Sequence, residues 1–433
     1  MSEKNVKHDI VIKTKQLIKG GFLHILTGNF LCRAISMISS IVVARIVDKT
    51  EYAYISFADN IYTYVGLVSG LGMAAALLKF CSLRNTEAKN RGYLQYAAVK
   101  GSGVQLLISL AVCIAAMFID IPFPNARKYI WALALYQPLY FVYDSFSAYI
   151  RVKRENRRYA SAGIIMSSVL CVFSIVLLIL VGTMGLIYAR YIAVIIALLY
   201  FWVYVRKCFA RIECEPLSKA EKKDLFNMGI SLMAARMFSE MMPANETFLV
   251  NSIIKNEVIT ANFRIAGVFP QLLLLVASAV SLYFFPIIAD MTDWSKIRKR
   301  MVQLGLFNFG FVLFAALVGA LLTPLAIKIL YGQKYADAIP MTYMLWIMNA
   351  MNGCIRMFPM NMLPALGKTK FNMYIAAASC AAQTIMDYFF INKLGVYGIA
   401  WGATVVYALS GGAYWWYLMK VCKDEKKNQQ AAL

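Results

Sequence analysis

Five arginines, Arg33, Arg190, Arg236, Arg264 and Arg356, sit inside long apolar runs of this 433-residue chain. Five acids, Asp59, Asp144, Glu240, Glu246 and Asp387, sit in runs of the same kind. A guanidinium grips phosphate oxygens through paired hydrogen bonds, and a carboxylate in a dry cavity can take up a proton or a sodium ion. These residue types therefore offer two chemistries: holding an anionic group and coupling to an ion gradient. An arginine at a membrane-helix centre costs about 2.5–3.5 kcal/mol, so five facing lipid would cost roughly 12–18 kcal/mol. That rivals a whole folding free energy of ~5–15 kcal/mol. The arginines must face water, a ligand or a partner charge.

The candidates for holding an anion are Arg33, Arg264, Arg356 and Arg236, with Asn29 and Ser36 beside Arg33. Asn29, Arg33, Ser36 and Ser40 follow i, i+4, i+7, i+11 spacing, which puts a polar stripe on one face of a helix. Arg33 lies about twelve residues into its run, ~18 Å at 1.5 Å per residue, near the bilayer midplane. Arg236 and Arg356 fall in the inner half or near the midplane, and Arg190 and Arg264 in the outer half. Cations spread through the membrane suit an anionic group that crosses it. The candidates for ion coupling are Asp59 and Glu246. A plainer reading stands beside both: five cations and five acids sum to zero, so ion pairs could account for all ten. Arg236 and Glu240 are four apart on one helix, close enough to neutralise each other, and Arg190 could snorkel to the outer surface. Tyr136, Tyr140, Phe141 and Tyr143 could stack on sugar rings, although an interfacial aromatic belt is the commoner use of tyrosine.

The elements that position these residues follow from composition. The chain is 61% hydrophobic and 15% charged, against about 45–50% and roughly 25% in soluble domains. A soluble globular enzyme, a disordered chain and a fibrous chain are all excluded. At ~20 apolar residues per crossing, the expectation is an all-α integral membrane protein with twelve spans. Their approximate ranges are 21–47, 53–79, 96–119, 129–150, 160–182, 184–206, 226–252, 260–289, 303–330, 337–363, 371–392 and 395–420. Placing both termini in the cytosol leaves 31 of the 44 Lys and Arg in inner loops and ends and 8 in outer loops, which satisfies the positive-inside rule. The polar stretch Lys207 to Asp224 divides the spans into two sets of six. The expected domains are a basic cytosolic surface helix (1–19), an N-terminal lobe (20–206), a cytosolic linker (207–224), a C-terminal lobe (225–420) and a cytosolic tail (421–433). Gly182-Thr-Met-Gly185 before span 6 matches Gly395-Val-Tyr-Gly398 before span 12, and Lys49-Thr-Glu51 matches Lys255-Asn-Glu257. Together these predict a parallel internal repeat, as in transporters whose halves pack around an axis along the membrane normal.

Other chemistry is scarce. The formal net charge is +22, but it sits in short clusters between apolar runs, which argues against nucleic acid as partner. The nine cysteines fall within spans or in segments expected in the cytosol, so no disulfide framework is expected. Two histidines are too few and too poorly spaced for a metal site, and no metal or cofactor is expected. Gly367-Lys368-Thr369 ends like a phosphate-binding loop, but Met362 stands where its first glycine belongs. No outward loop exceeds roughly a dozen residues, which leaves no room for an extramembrane catalytic domain. The expectation is a transporter, not an enzyme.

Several segments resemble the polysaccharide-transporter branch of the MOP superfamily, which contains the Wzx-type flippases. Residues 42–60 (VVARIVDKTEYAYISFADN) resemble its first inter-helix junction, and 69–80 (SGLGMAAALLKF) the small-residue end of its second helix. Residues 149–159 (YIRVKRENRRY) resemble its basic loop, 363–370 (LPALGKTK) the corresponding loop of the second half, and 395–404 (GVYGIAWGAT) the entry to its last helix. The resemblance runs in order along nearly the whole chain. It implies two six-helix lobes around a central cavity. It also implies a flippase that carries a lipid-linked (undecaprenyl-pyrophosphate) oligosaccharide repeat unit across the bacterial cytoplasmic membrane by alternating access. By position it gives Arg33 and Arg264 a phosphate-binding role. Two departures stand out: Glu246-Thr247-Phe248 replaces an Asp followed by a basic residue, and Arg264 falls where the family is usually less charged.

The partners so implied are the lipid-linked oligosaccharide, the bilayer, a polysaccharide polymerase and glycosyltransferases, with a proton or sodium gradient as the coupling these acids would allow. The competing expectations are a multidrug/toxin cation antiporter of the same superfamily, which would favour an acidic cavity, and a membrane-embedded polysaccharide polymerase or acyltransferase.

Overall fold

Long apolar stretches with no β-forming alternation dictate helices, and a computed structural model describes them over residues 22–82, 86–209, 212–289, 291 and 293–431. The expected basic surface helix, 1–19, lies outside the described residues. The first half contains α1 (Phe22–Ile46), α2 (Lys49–Leu67), α3 (Met73–Phe80), α4 (Glu87–Phe118), α5 (Arg127–Ala132), α6 (Tyr136–Val152), α7 (Asn156–Val181) and α8 (Gly185–Phe209). The second contains α9 (Lys219–Leu249), α10 (Glu257–Ala266), α11 (Val268–Ala289), α12 (Trp294–Ala326), α13 (Ala338–Met351), α14 (Met357–Met362), α15 (Thr369–Leu394) and α16 (Tyr397–Ala431). No strand occurs among the described residues. Six helical stretches are long and apolar enough to cross a membrane by length and composition: Thr27–Ile46, Lys49–Phe80, Glu87–Phe118, Asn156–Phe209, Glu257–Ser281 and Trp294–Tyr331.

Helix starts carry the side chains that cap free N–H groups. Asp48 accepts from Thr50 N at 2.9 Å, Asn256 from Ile259 N at 3.0 Å, and Asp293 from Ser295 N and Lys296 N at 2.9 and 3.1 Å. Ser218 and Glu221 form a capping box at the start of α9, the backbone N–H of each donating to the other's side chain.

Where the sequence predicts one continuous helix over 53–79, the chain breaks. Gly70, Leu71 and Gly72 adopt φ of +50°, +54° and +70°, a left-handed turn that glycine tolerates and other residues resist. The break frees backbone groups that hydrocarbon cannot satisfy, and one fully buried side chain on α4 serves them. Gln105 accepts from Gly70 N at 3.0 Å and donates to the Val65 carbonyl at 2.9 Å. Close approach also requires glycine here. A Cβ on Gly70 would lie 2.1 Å from the Phe141 ring, and one on Gly72 would lie 2.2 Å from the Gly229 carbonyl oxygen.

The chain divides into two compact units, Met1–Ala235 and Arg236–Leu433, so the break falls inside α9. Residues 212–235 belong with the first unit because they are pinned there. Glu215 N donates to the Ala88 carbonyl and Leu217 is buried. Lys89 on α4 pairs with Glu221, and together with the Ser218 N–H it holds that carboxyl down at about 2. Leu225 enters the core formed by α3, α4, α6 and α8. In the second unit a core of Met301, Phe358, Met362, Leu363, Tyr414 and Leu418 ties α12, α14 and α16 together. The paired glycine motifs of the sequence build the same turn twice. Gly182 and Gly395 take φ of +75° and +62°, and a Cβ on Gly185 or Gly398 would lie 2.2 Å from a carbonyl oxygen of the preceding helix.

Replacing Gln105 with Leu would strand the Gly70 N–H and take a partner from the Val65 carbonyl. At ~1–3 kcal/mol per unsatisfied buried group, Gln105→Leu should cost about 2–4 kcal/mol, measured as a lowered melting temperature of the purified protein in detergent. Gly66→Ala, where an added Cβ meets nothing within 4 Å, should melt as the parent does. Equal melting of Gln105→Leu and the parent would refute Gln105 as the partner of the broken helix.

Candidate functional site

In the first unit, α1 lies along α7, with Gly28 seated where a Cβ would come within 2.7 Å of the Ala160 Cβ. The opposite face of α1 is open. Asn29, Arg33 and Ser36 are all exposed on it and Ser40 is half-buried, so the expected polar stripe stays together on one surface. The apolar residues Phe30 and Ile38 are exposed on the same helix, at 72% and 56%.

Asp59 and Arg190 meet. Arg190 on α8 donates through Nη1 and Nη2 to the two carboxylate oxygens of Asp59 on α2, at 2.5 and 3.0 Å. This bidentate geometry is the most specific that a guanidinium offers a carboxylate. The pair holds the sequence's ion-coupling candidate Asp59 against a cation, Arg190. The tyrosine-rich face of α6 turns into the unit's core: Tyr136, Tyr140 and Tyr143 follow one another at 5.8 and 5.7 Å between ring centroids, and Tyr143 stacks on Phe201 at 5.3 Å.

The second unit holds a buried polar cluster built by α9, α15 and α16. Glu246 on α9 accepts from Gln383 Nε2 at 2.6 Å and from the Tyr407 hydroxyl at 3.1 Å. One residue earlier, Asn245 donates to Thr384 Oγ1 at 2.6 Å, so two adjacent polar pairs join α9 to α15. Asp387 lies one turn beyond Gln383 and is completely buried, and neither of its carboxylate oxygens accepts a hydrogen bond of good geometry from a described residue. Gly402 allows α16 to approach it, since a Cβ there would lie 2.4 Å from Asp387 Oδ1. The Arg356 guanidinium sits 5.3 Å from the centroid of the Tyr407 ring. It donates to Asn352 Oδ1 at 3.3 Å and touches Met242 Sδ at 3.5 Å. Arg356 is 4% exposed, so among the candidate cations whose side chains are described it is the one buried in the unit's interior.

Arg356 owes its position to a π-bulge, Asn352–Arg356, that interrupts the expected span 337–363. The carbonyls there find donors on neighbouring helices. Asn308 Nδ2 donates to the Gly353 carbonyl at 2.9 Å, and Trp415 Nε1 to the Ile355 carbonyl at 3.0 Å. π-Bulges of this kind occur frequently at functional sites. Arg264 is half-buried on α10, between the buried Asn262 and Ile265. The side chain of Arg236 lies outside the described residues, and its spacing to Glu240 with it. Sequence reasoning named Glu246 but missed Gln383, Asp387 and Tyr407 as its company. The available signal was two polar residues four apart, Gln383 and Asp387, on one apolar helix. No cluster of three or more His, Cys, Asp or Glu able to hold a metal ion occurs among the described residues.

A model of the family described as "Polysaccharide biosynthesis protein" matches residues 18–292. The chain is 23% identical over 333 residues to the Shigella flexneri protein named "Putative O-antigen transporter", covering 76% of this chain and 73% of that one. Among solved structures, the inward-facing conformation of a multidrug resistance MATE family transporter of the MOP superfamily superposes with a TM-score of 0.69 at 14% identity. That match covers 91% of this chain and 96% of the other. The outward-facing conformation of such a transporter gives 0.63 at 13% identity over 95% and 97%. A MOP superfamily transporter from Pyrococcus furiosus, whose binding pocket is described as reversed in polarity, gives 0.61 at 13% over 94% and 96%. The fold is that of the MOP superfamily transporters, and the chain is an integral membrane transporter rather than an enzyme.

The Asp59–Arg190 pair yields a double-mutant test. Breaking a buried pair from one side leaves a charge uncompensated, at about 3–5 kcal/mol, whereas removing both partners is far less costly. Asp59→Asn and Arg190→Gln should each lower the melting temperature in detergent, and the double variant should recover most of the loss. Additive losses in the double variant would show that the two side chains do not depend on each other.

Proposed function

This chain belongs to the polysaccharide biosynthesis protein family, and from that membership we propose that it is a flippase for a lipid-linked oligosaccharide repeat unit. In this reading, twelve spans in two six-helix lobes surround a central cavity in the bacterial cytoplasmic membrane, with both termini in the cytosol. An undecaprenyl-pyrophosphate headgroup crosses through the cavity by alternating access while its tail stays in the bilayer. Arg33 carries the reading. It is a guanidinium exposed among apolar residues of a 25-residue helix, flanked on the same face by Asn29 and Ser36. Such a charge is too costly to leave against lipid, and its fork geometry matches a pyrophosphate. Arg264, Arg236 and Arg356 extend the cationic path, and the likeness to an O-antigen transporter supports a sugar-bearing cargo. A polysaccharide polymerase and glycosyltransferases are the partners this role requires.

Ion coupling is assigned first to Glu246. Two carboxyls, Glu246 and Asp387, are buried in this unit; the Tyr407 hydroxyl donates to Glu246, and the Arg356 guanidinium lies 5.3 Å from the centroid of the same ring. Burying carboxylates with no cation in direct contact is costly, and a proton or sodium ion taken up there removes the cost. Tyr407 then touches both functions, its hydroxyl on Glu246 and its face under Arg356. Asp59, locked to Arg190 in this structure, is the second coupling candidate and would act only in a state that opens the pair.

Arg33→Ala should abolish export of the surface polysaccharide, with the protein still inserted and the lipid-linked repeat unit accumulating inside the cell. Normal export by a well-expressed variant would refute the anion-gripping role. Tyr407→Phe keeps the ring beneath Arg356 but removes the bond to Glu246. It should leave cargo binding within a few-fold of the parent while making transport in vesicles insensitive to the imposed proton or sodium gradient. Retained gradient dependence would remove Tyr407 from the coupling path.

A further inference from the structure

On the first unit, α7 and α8 form a hairpin, and at its open end they leave a groove of about 330 Å³ lined by Arg158, Leu199, Tyr200, Val203, Tyr204 and Lys207. The spacing makes this one continuous surface. Tyr200, Val203, Tyr204 and Lys207 stand at i, i+3, i+4 and i+7, on a single face of α8. From Leu199 to Lys207 the face runs about 12 Å at 1.5 Å per residue. It begins with apolar side chains inside the span, passes two tyrosines at the depth where amphipathic rings collect, and ends on a cation. Arg158, in the first turn of α7, closes the other wall.

Arg158 is preorganised. Its guanidinium lies over the Tyr204 ring at 4.1 Å, and its Nε donates to Glu155 at 3.3 Å. Its terminal amino groups make no hydrogen bond with a described residue, and the side chain is exposed. Glu155 pairs with Arg158, and one negative charge beside Arg158 and Lys207 leaves the groove net positive. Arg151, Lys153, Arg154 and Arg157 add to the same end of the hairpin.

We propose that this groove is a binding site for one anionic phospholipid. The phosphodiester lies between Arg158 and Lys207, and an acyl chain runs along Leu199, Tyr200 and Val203. A soluble anion could use the two cations but not the apolar wall of Leu199, Tyr200 and Val203, about 6 Å long at 1.5 Å per residue, and a zwitterionic lipid could use the wall but not the net charge. The inference does not depend on the cargo. It needs only that these helices span a bilayer whose leaflet at this end carries anionic lipid, as a basic loop end requires.

The purified full chain tests this by native mass spectrometry with phosphatidylglycerol, with phosphatidylcholine of the same acyl chains, with a polyprenyl pyrophosphate, and with inorganic phosphate alone. At roughly fivefold per cation, the parent should retain phosphatidylglycerol about 25-fold more strongly than phosphatidylcholine. Arg158→Gln/Lys207→Gln should bring that ratio close to one, and Lys100→Gln should leave it unchanged. Both target side chains are exposed, and a melting curve in lipid-free detergent, expected to match the parent, separates lost binding from lost folding. Three outcomes would overturn the site: equal phosphatidylglycerol retention by parent and double variant, binding of phosphate with no preference for the lipid, or a preference for the polyprenyl pyrophosphate over phosphatidylglycerol that the double variant abolishes.

Discussion

The bilayer core holds no water, so every ionised group that the sequence places in a span must meet an opposite charge, a ligand or an aqueous path. The chain meets this constraint in three ways. Asp59 and Arg190 neutralise each other through two hydrogen bonds between α2 and α8. Glu246 is satisfied by the neutral donors Gln383 and Tyr407, while Asp387 beside it is buried without a donor of good geometry among the described residues. Arg33 is exposed on α1. The first arrangement is complete within the protein. In the other two the described residues supply neither an ion pair for the acids nor one for Arg33.

The same absence of water governs the backbone. Helices that bend or break inside the membrane free N–H and C=O groups, and here side chains from neighbouring helices take them up. Gln105 serves the left-handed turn at Gly70, and Asn308 and Trp415 serve the bulge that carries Arg356. Each device uses single polar side chains set among apolar neighbours, which leave little mark in a hydropathy profile. Arg356 is thereby placed on a π-bulge, 5.3 Å from the ring centroid of a tyrosine whose hydroxyl donates to Glu246.

Local rules carried far in this sequence because they depend on near neighbours. Apolar runs of about twenty residues between basic clusters determine a helical membrane protein. Asp48, Asn256, Asp293 and the Ser218–Glu221 box mark helix starts by their own chemistry. The two Gly-x-x-Gly motifs specify the same close turn wherever they occur, since only glycine admits both the positive φ and the carbonyl contact. The polar stripe of Asn29, Arg33 and Ser36 follows from helical spacing alone.

Tertiary structure decided what periodicity does not encode: which charge meets which. Arg190 and Asp59 are 131 positions apart, and Glu246 meets Gln383 and Tyr407 from 137 and 161 positions away. Helix packing brought these groups together, and nothing in the intervening sequence specifies the distance. It also decided that the stretch after span 6 belongs to the first unit, because Leu225 and Gly229 find their partners on α3 and α4 rather than along their own helix. The sequence by itself determined that ten charges would have to be accommodated in an apolar medium. Only folding assigned Asp59 to a guanidinium and Glu246 to two neutral donors, because each of these is a contact between helices far apart in the chain, and only folding left Arg33 on a face that no other helix covers.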